Sequence, residues 1–204
     1  WYRPSDVCVA PDGSLFIEDW NDAGVGGHNM VDRKLELMSG RVYRVAPPGS
    51  KYSVPHYDFT TAAGCVAALQ SPNHEARYLA WTGLHAMQGK AEKELLKLWK
   101  SDDSRMRARA FFLLGQIKGR EKKYIETALK DKDADIRVAA LRLARELKMD
   151  LVSYVTKLVK DPLAQLRREC AIALRHTPSA EAPRLWAALA WQTVGTDLWY
   201  WEGP

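Results

Sequence analysis

Four segments of this chain align without a gap at one fixed step, and that step limits the fold more than any other feature. They are SPNHEARYLAWTGL from Ser71, SDDSRMRARAFFLL from Ser101, DKDADIRVAALRLA from Asp131 and DPLAQLRRECAIAL from Asp161. Arg77, Arg107, Arg137 and Arg167 therefore stand 30 residues apart, as do Ala80, Ala110, Ala140 and Cys170. The preceding stretches keep the same step through Cys65, Leu95, Ile125, Val155 and Leu185, and through Leu69, Trp99, Leu129, Val159 and Leu189. A period in this range means supersecondary units that stack, because one unit cannot bury its apolar faces alone.

Each unit reads as two helices. The first is short, with apolar residues at helical spacing such as Leu95, Leu98 and Trp99. Ser71, Ser101, Asp131 and Asp161 are expected to cap the second helix, with Pro72 and Pro162 at its first turn. The small residues at 80, 110, 140 and 170 let neighbouring helices approach. The chain is thus expected to be mainly α, a HEAT-type solenoid over residues 58–204 with about four and a half repeats. In the fifth unit Trp191 stands at the cap position, Gly195-Thr196-Asp197 restarts a helix late, and LWYWEG (198–203) ends the pattern.

Each arginine of the column follows a Ser or Asp by six residues. A ladder between repeats, from arginine to those caps and to the carboxylates of Asp131 and Asp161, is one reading, since a planar fork of donors suits such networks. A phosphate-binding stripe is the other. Arg145 and Arg175, also one repeat apart, fall near the C-terminal ends of second helices and are candidates for an exposed binding ridge.

Before residue 58 the period changes to two. Val7 and Val9 alternate before PDGS, and Leu15 and Ile17 alternate after it, which predicts a hairpin turning at Asp12-Gly13. A third strand is expected at Arg41–Val45. Three strands around one turn cannot enclose a core, so residues 1–57 form a small antiparallel β segment that belongs to a larger β structure or is covered by helices. The loop DWNDAGVGGHNMVD (19–32) is the segment with polar site chemistry, and Asp19, Asp22, His28 and Asp32 are its candidate ligand-binding residues. It lacks G-K-[ST] and GxGxxG. It opens like an EF-hand loop, but Ala23 fails a ligand position and Met30 replaces the needed Glu.

Charge separates the same two regions. Residues 1–59 hold six Lys/Arg against eight Asp/Glu, and residues 60–204 hold 24 against 17. The basic half, with Lys118, Arg120, Lys122 and Lys123 in one inter-helix segment, raises nucleic acid as a partner; acidic residues interleaved throughout argue against it. No apolar run approaches the ~18 residues that span a bilayer. Cys8, Cys65 and Cys170 lie apart in apolar surroundings and are expected to be buried free thiols, with no metal spacing among them. No catalytic triad, carboxylate pair or metal cluster can be placed. The start at Trp1 carries no signal-peptide pattern and reads as internal to a longer protein.

RPSDVCVAPDGSLFIEDWNDAGVGGH (3–28), GRVYRVAP (40–47), ARYLAWTGLHAM (76–87) and RRECAIALRH (167–176) together resemble a family of large secreted proteins of planctomycetes and verrucomicrobia. These join a sugar-dehydrogenase-like β-propeller, HEAT repeats and a c-type cytochrome domain. The DW-x-D-x-GVGGH loop followed by GR-[IV]-YRV is the more specific part. The resemblance implies that residues 1–50 are the closing propeller blade and that the solenoid leads towards a haem domain. It also implies haem c and a quinone as cofactors of the parent protein, with a periplasmic or secreted location. The haem-attachment CxxCH is absent here, as are most blades, so no cofactor is assigned to this chain. Three functions follow: a scaffold contacting proteins or neighbouring domains, part of a sugar oxidoreductase site through loop 19–32, or a basic solenoid binding nucleic acid. The scaffold is the reading adopted.

Overall fold

A computed structural model describes residues 4–21 and 39–192. It is mainly helical, with a three-stranded antiparallel sheet at the N-terminal end. The chain divides into two compact units, 1–83 and 84–204. The change of periodicity at 57/58 marks where strands give way to helices. The division into units falls later, between Gly83 and Leu84 inside one helix, because the first helical segments are tied to the sheet.

In the first unit β1 (Pro4–Val9), β2 (Leu15–Asn21) and β3 (Ser39–Val45) lie in chain order. Val7 faces Ile17, which faces Tyr43, while Val9 faces Leu15, which faces Val45. Side chains two apart share a face, so these six apolar residues form one patch. It is not covered: Val7 is 58% exposed and Val45 51%. Cys8, on the opposite face, is exposed rather than buried as expected, because three strands have no second layer to seal either side.

The β1–β2 turn is closed by Ala10, whose N–H donates to the Ser14 carbonyl at 2.7 Å and whose carbonyl accepts from the Gly13 N–H at 2.8 Å. Gly13 holds φ +85°, and a Cβ there would lie 2.5 Å from Pro72 Cγ. Helix α1 (Ala62–Leu69) is capped by the Thr61 hydroxyl, which accepts from the Gly64 N–H. Helix α2 (His74–Met87) follows. The Asn73 side chain caps α2 by accepting from the Ala76 N–H at 2.8 Å, and its amide donates to the carbonyls of Val9 at 3.0 Å and Ala10 at 3.2 Å. One buried side chain thus joins strand end to helix start.

The second unit alternates short and long helices. The short ones are α3 (Glu92–Trp99), α5 (Glu121–Ala128) and α7 (Leu151–Leu158). The longer ones are α4 (Ser104–Leu114), α6 (Ala134–Glu146) and α8 (Ala164–Leu174), and α9 (Ala182–Ala190) closes the described part. Each short helix packs on the long one after it, and α4, α6 and α8 pack in succession. The 30-residue columns are the core: Leu95, Ile125 and Val155 are at most 1% exposed, and Ala110, Ala140 and Cys170 are fully buried. Burying each large aliphatic contributes about 1.5–3 kcal/mol. The absence of a large side chain in the Ala/Cys column is what allows the helices to close.

The caps differ from the sequence expectation by two residues. Asp103 and Asp133 cap α4 and α6, each accepting from the backbone N–H two residues on. Leu163 occupies the same place before α8 and makes no side-chain cap. Ser101, Asp131 and Asp161 instead accept from the N–H groups of Asp103, Asp133 and Leu163, and so form the turn that precedes the cap. Pro72 and Pro162 consequently stand in that turn, ahead of the helix. A short polar side chain serves a turn as well as a cap, so the residue type alone did not separate the two positions.

Candidate interaction surface

The arginine column is a ladder. Arg107 donates through Nη1 to the carbonyls of Ser101 and Asp102, both at 3.1 Å, and through Nη2 to Asp131 Oδ1 of the next repeat at 3.3 Å. Arg137 repeats this with the carbonyls of Asp131 at 2.9 Å and Lys132 at 3.3 Å, and with Asp161 Oδ1 at 3.1 Å. Arg167 donates to the carbonyls of Asp161, Pro162 and Gln192. Arg77 donates to those of Ser71 and Pro72. Each guanidinium satisfies carbonyls of its own turn, and in the middle repeats it also holds the turn of the neighbour. The aspartates serve twice, since the same Oδ1 that meets the arginine closes the local turn. With Arg107 and Arg167 only 7% exposed, these forks are not presented to a phosphate.

Glu169 of α8 adds a second junction that the column did not reveal. It is 3% exposed, and its Oε2 accepts from Arg142 Nε at 2.9 Å and Nη2 at 2.8 Å. Arg145 Nη1 lies 3.6 Å from Oε1. Arg145, a candidate for an exposed binding ridge, is exposed and lies against this carboxylate. Arg175 is exposed at the end of α8. The two do not share one environment. Hydrogen bonding to Glu169 holds the Arg142 guanidinium more firmly protonated than usual.

Between the short helices, the Tyr124 hydroxyl and the Arg120 guanidinium both meet the Glu92 carboxylate. Lys123 Nζ approaches the Tyr124 ring at 4.9 Å. Burial raises the Tyr124 pKa and pushes the Cys170 thiol up to about 12. Such a thiol stays protonated and unreactive at neutral pH.

In the sheet unit Asp19 is 1% exposed, and its Oδ2 accepts from Arg41 at 3.0 Å (Nε) and 2.8 Å (Nη2). This strand-to-strand pair occupies the one loop candidate that is described; Asp22, His28 and Asp32 lie outside the described residues. A polar cluster not anticipated from the sequence sits at the other end of the sheet. Arg44 donates to Ser14 Oγ at 3.0 Å, to the Ser50 carbonyl at 3.1 Å and to Asp12 Oδ2 at 2.8 Å. Hydrogen bonds from the Ser14 hydroxyl and N–H, and then from Arg44, lower the Asp12 pKa to about 2. A cleft of about 400 Å³ opens beside this cluster. Every polar group in the cluster is spent on its neighbours, so its chemistry is that of a turn anchor.

Among the described residues no group of three His, Cys, Asp or Glu could hold a metal ion, and no helix is long and apolar enough to cross a membrane. The chain matches no protein-family model and no curated protein.

Proposed function

We propose that this chain is a non-catalytic HEAT-type helical-repeat scaffold joined to the closing blade of a β-propeller. In this reading it links a dehydrogenase-like propeller to a c-type cytochrome domain in a periplasmic or secreted redox protein. The observation that carries the scaffold reading is the ladder: Arg107 and Arg137 make equivalent bonds to equivalent partners one repeat apart. A lattice of that kind holds successive units at a fixed spacing, which is what a spacer requires.

The blade reading is supported by the uncovered apolar patch on the sheet, which suits a β segment packed face to face against another. The cysteines do not fit haem attachment, since no two stand in a CxxCH. Haem, and any quinone, would therefore be held by other parts of the parent protein. The reading of the gene on both sides of Trp1 and Pro204 tests this proposal. Upstream β repeats and a downstream CxxCH are expected; a frame without either removes the redox context and leaves only the repeat scaffold.

A further inference from the structure

The two kinds of basic residue are segregated by helix in the second unit. Helices α3, α5 and α7 carry lysine and no arginine, whereas α4, α6 and α8 carry arginine and no lysine. The ladder and the Glu169 junction show why arginine is used on the long helices: its planar fork bridges repeats. The lysines have a different placement. At three repeat-equivalent positions spaced i, i+4 and i+7, the last of them just past the end of each short helix, the residues are Lys93, Lys123 and Ser153; Lys97, Thr127 and Lys157; and Lys100, Lys130 and Lys160. All seven lysines are exposed, and no acid occupies any of these positions.

Like charges at i and i+4 destabilise a helix, and exposed helix faces relieve this by alternating with glutamate. Here Lys97 meets Glu94 at 2.7 Å and Lys123 stands 3.9 Å from Glu92. Lys93, Lys100, Lys130, Lys157 and Lys160 have no ion pair among the described residues. The helix C-terminal dipole favours a cation at 97 and 157, in the last turns of α3 and α7, and at 100, 130 and 160 just beyond the helix ends, but it does not explain the lysines at 93 and 123. Lys123 and Lys130 border a cleft of about 690 Å³ over Trp99, and Lys93, Lys97 and Lys100 border another of about 390 Å³.

We infer that the short-helix face of residues 92–160 docks an acidic, carboxylate-rich protein segment. The inference rests on the scaffold reading and names the chemistry of its partner. Charge complementarity selects the sign. The arginine fork suits carboxylate and phosphate alike, and Arg107, Arg137 and Arg142 are committed to Asp131, Asp161 and Glu169; the lysine ammonium groups are flexible point charges that can follow irregularly placed carboxylates. The aromatic residues of these helices offer no stacking platform for bases: Tyr124 and Tyr154 are buried, and Trp99 packs against Phe111.

The test uses the 204-residue chain with a labelled oligo-glutamate peptide and a duplex DNA of matched charge, followed by fluorescence anisotropy. Peptide binding that weakens with added salt is expected. Lys100→Glu/Lys130→Glu/Lys160→Glu is expected to weaken it about tenfold or more. Arg105→Glu/Arg168→Glu/Arg175→Glu changes net charge equally and is expected to shift it by no more than about twofold. Equal loss in both variants, no peptide binding, or tighter binding of DNA would each overturn the inference. If the charge-reversed lysine variant loses its helical circular dichroism, the same comparison is made with the three lysines changed to glutamine. Absence of binding by a chain that keeps its helical signal and cooperative melting sinks the docking inference alone. The scaffold reading falls separately, if removing a ladder arginine leaves the melting unchanged.

Discussion

The sheet unit and the helical unit solve the same problem in different ways. In the helical unit Leu95, Ile125 and Val155 disappear into a core that each repeat supplies to the next. In the sheet unit Val7, Val9, Leu15 and Val45 remain exposed, and order depends on directional bonds at a few residues: Asn73, Arg44, Arg41. Stacked repeats distribute their stability over equivalent positions; three strands cannot, and must concentrate it. The difference is clearest at one position. Asn73 stands where Asp103, Asp133 and Leu163 stand in the later repeats. The later caps only accept a hydrogen bond, and α8 begins without a side-chain cap at all. Asn73 must also donate, to Val9 and Ala10.

That contrast predicts the largest effect. Asn73→Asp keeps the cap but removes both donors and sets a carboxylate against two carbonyls, at a cost of about 3 kcal/mol. The reciprocal Asp133→Asn, which loses no donor, is expected to cost under about 1 kcal/mol. Chemical denaturation of both variants checks the pair, and equal costs would erase the distinction between concentrated and distributed stability. Next in size is Arg137→Ala, which takes the arginine from Asp161 and from two turn carbonyls, leaving Asp161 only the Leu163 N–H, in a site where both side chains are only about a tenth exposed. A loss of about 2–3 kcal/mol is expected, and Arg137→Lys should recover little of it because one ammonium cannot reproduce the fork. An unchanged melting midpoint in Arg137→Ala would count against the ladder as a structural device.

How far the sequence reveals this molecule follows the same divide. The helical pairs, the buried columns and the partners of the arginines were legible because a repeat states each contact several times over. The hairpin at Asp12-Gly13 and the third strand were legible from alternation. The turn and cap were confused because Ser and Asp satisfy backbone N–H groups in both settings, and the two positions lie only two residues apart. The junctions at Glu169, Glu92 and Arg44 were missed because each occurs once and joins residues far apart in the chain. No period announces them. The approach of Arg145 to Glu169 is hidden for the same reason, since nothing local tells that this carboxylate comes within reach.

Acid should reveal a smaller difference, because each of the groups involved is held by a few local hydrogen bonds. Asp12 in the sheet unit and Asp103 in the helical unit both titrate below the ordinary aspartate value near 3.8. Ser14 and then Arg44 are the cause for Asp12; the Arg105 N–H and then its side chain are the cause for Asp103. A carboxyl whose pKa is lower folded than unfolded stabilises the fold above the unfolded value, and the contribution is lost as pH falls through the folded one. For Asp12 that window runs from near 3.8 down to about 2. Replacing Asp12 by Asn should flatten the acid limb of the stability–pH curve there, and an unaltered limb would exclude the cluster as its source.

The smallest effect expected is a gain. Helix α6 ends with Lys148 at φ +54°, where the Lys148 N–H donates to the Arg145 carbonyl and the Met149 N–H to that of Ala144. This is the paired bonding of a Schellman terminus, a place that favours glycine. Gly119 takes a left-handed conformation between α4 and α5, whereas a lysine does so after α6. Lys148→Gly relieves the strain of a Cβ in that region at some cost in unfolded-chain entropy, for a net gain of about 0.5 kcal/mol. If stability is distributed over the repeats, relief at one terminus should raise the melting midpoint of the helical unit without altering the cooperativity of its unfolding. A gain accompanied by a second, separate transition would instead show that the repeats unfold independently, and the ladder would then be too weak to bind them into one unit.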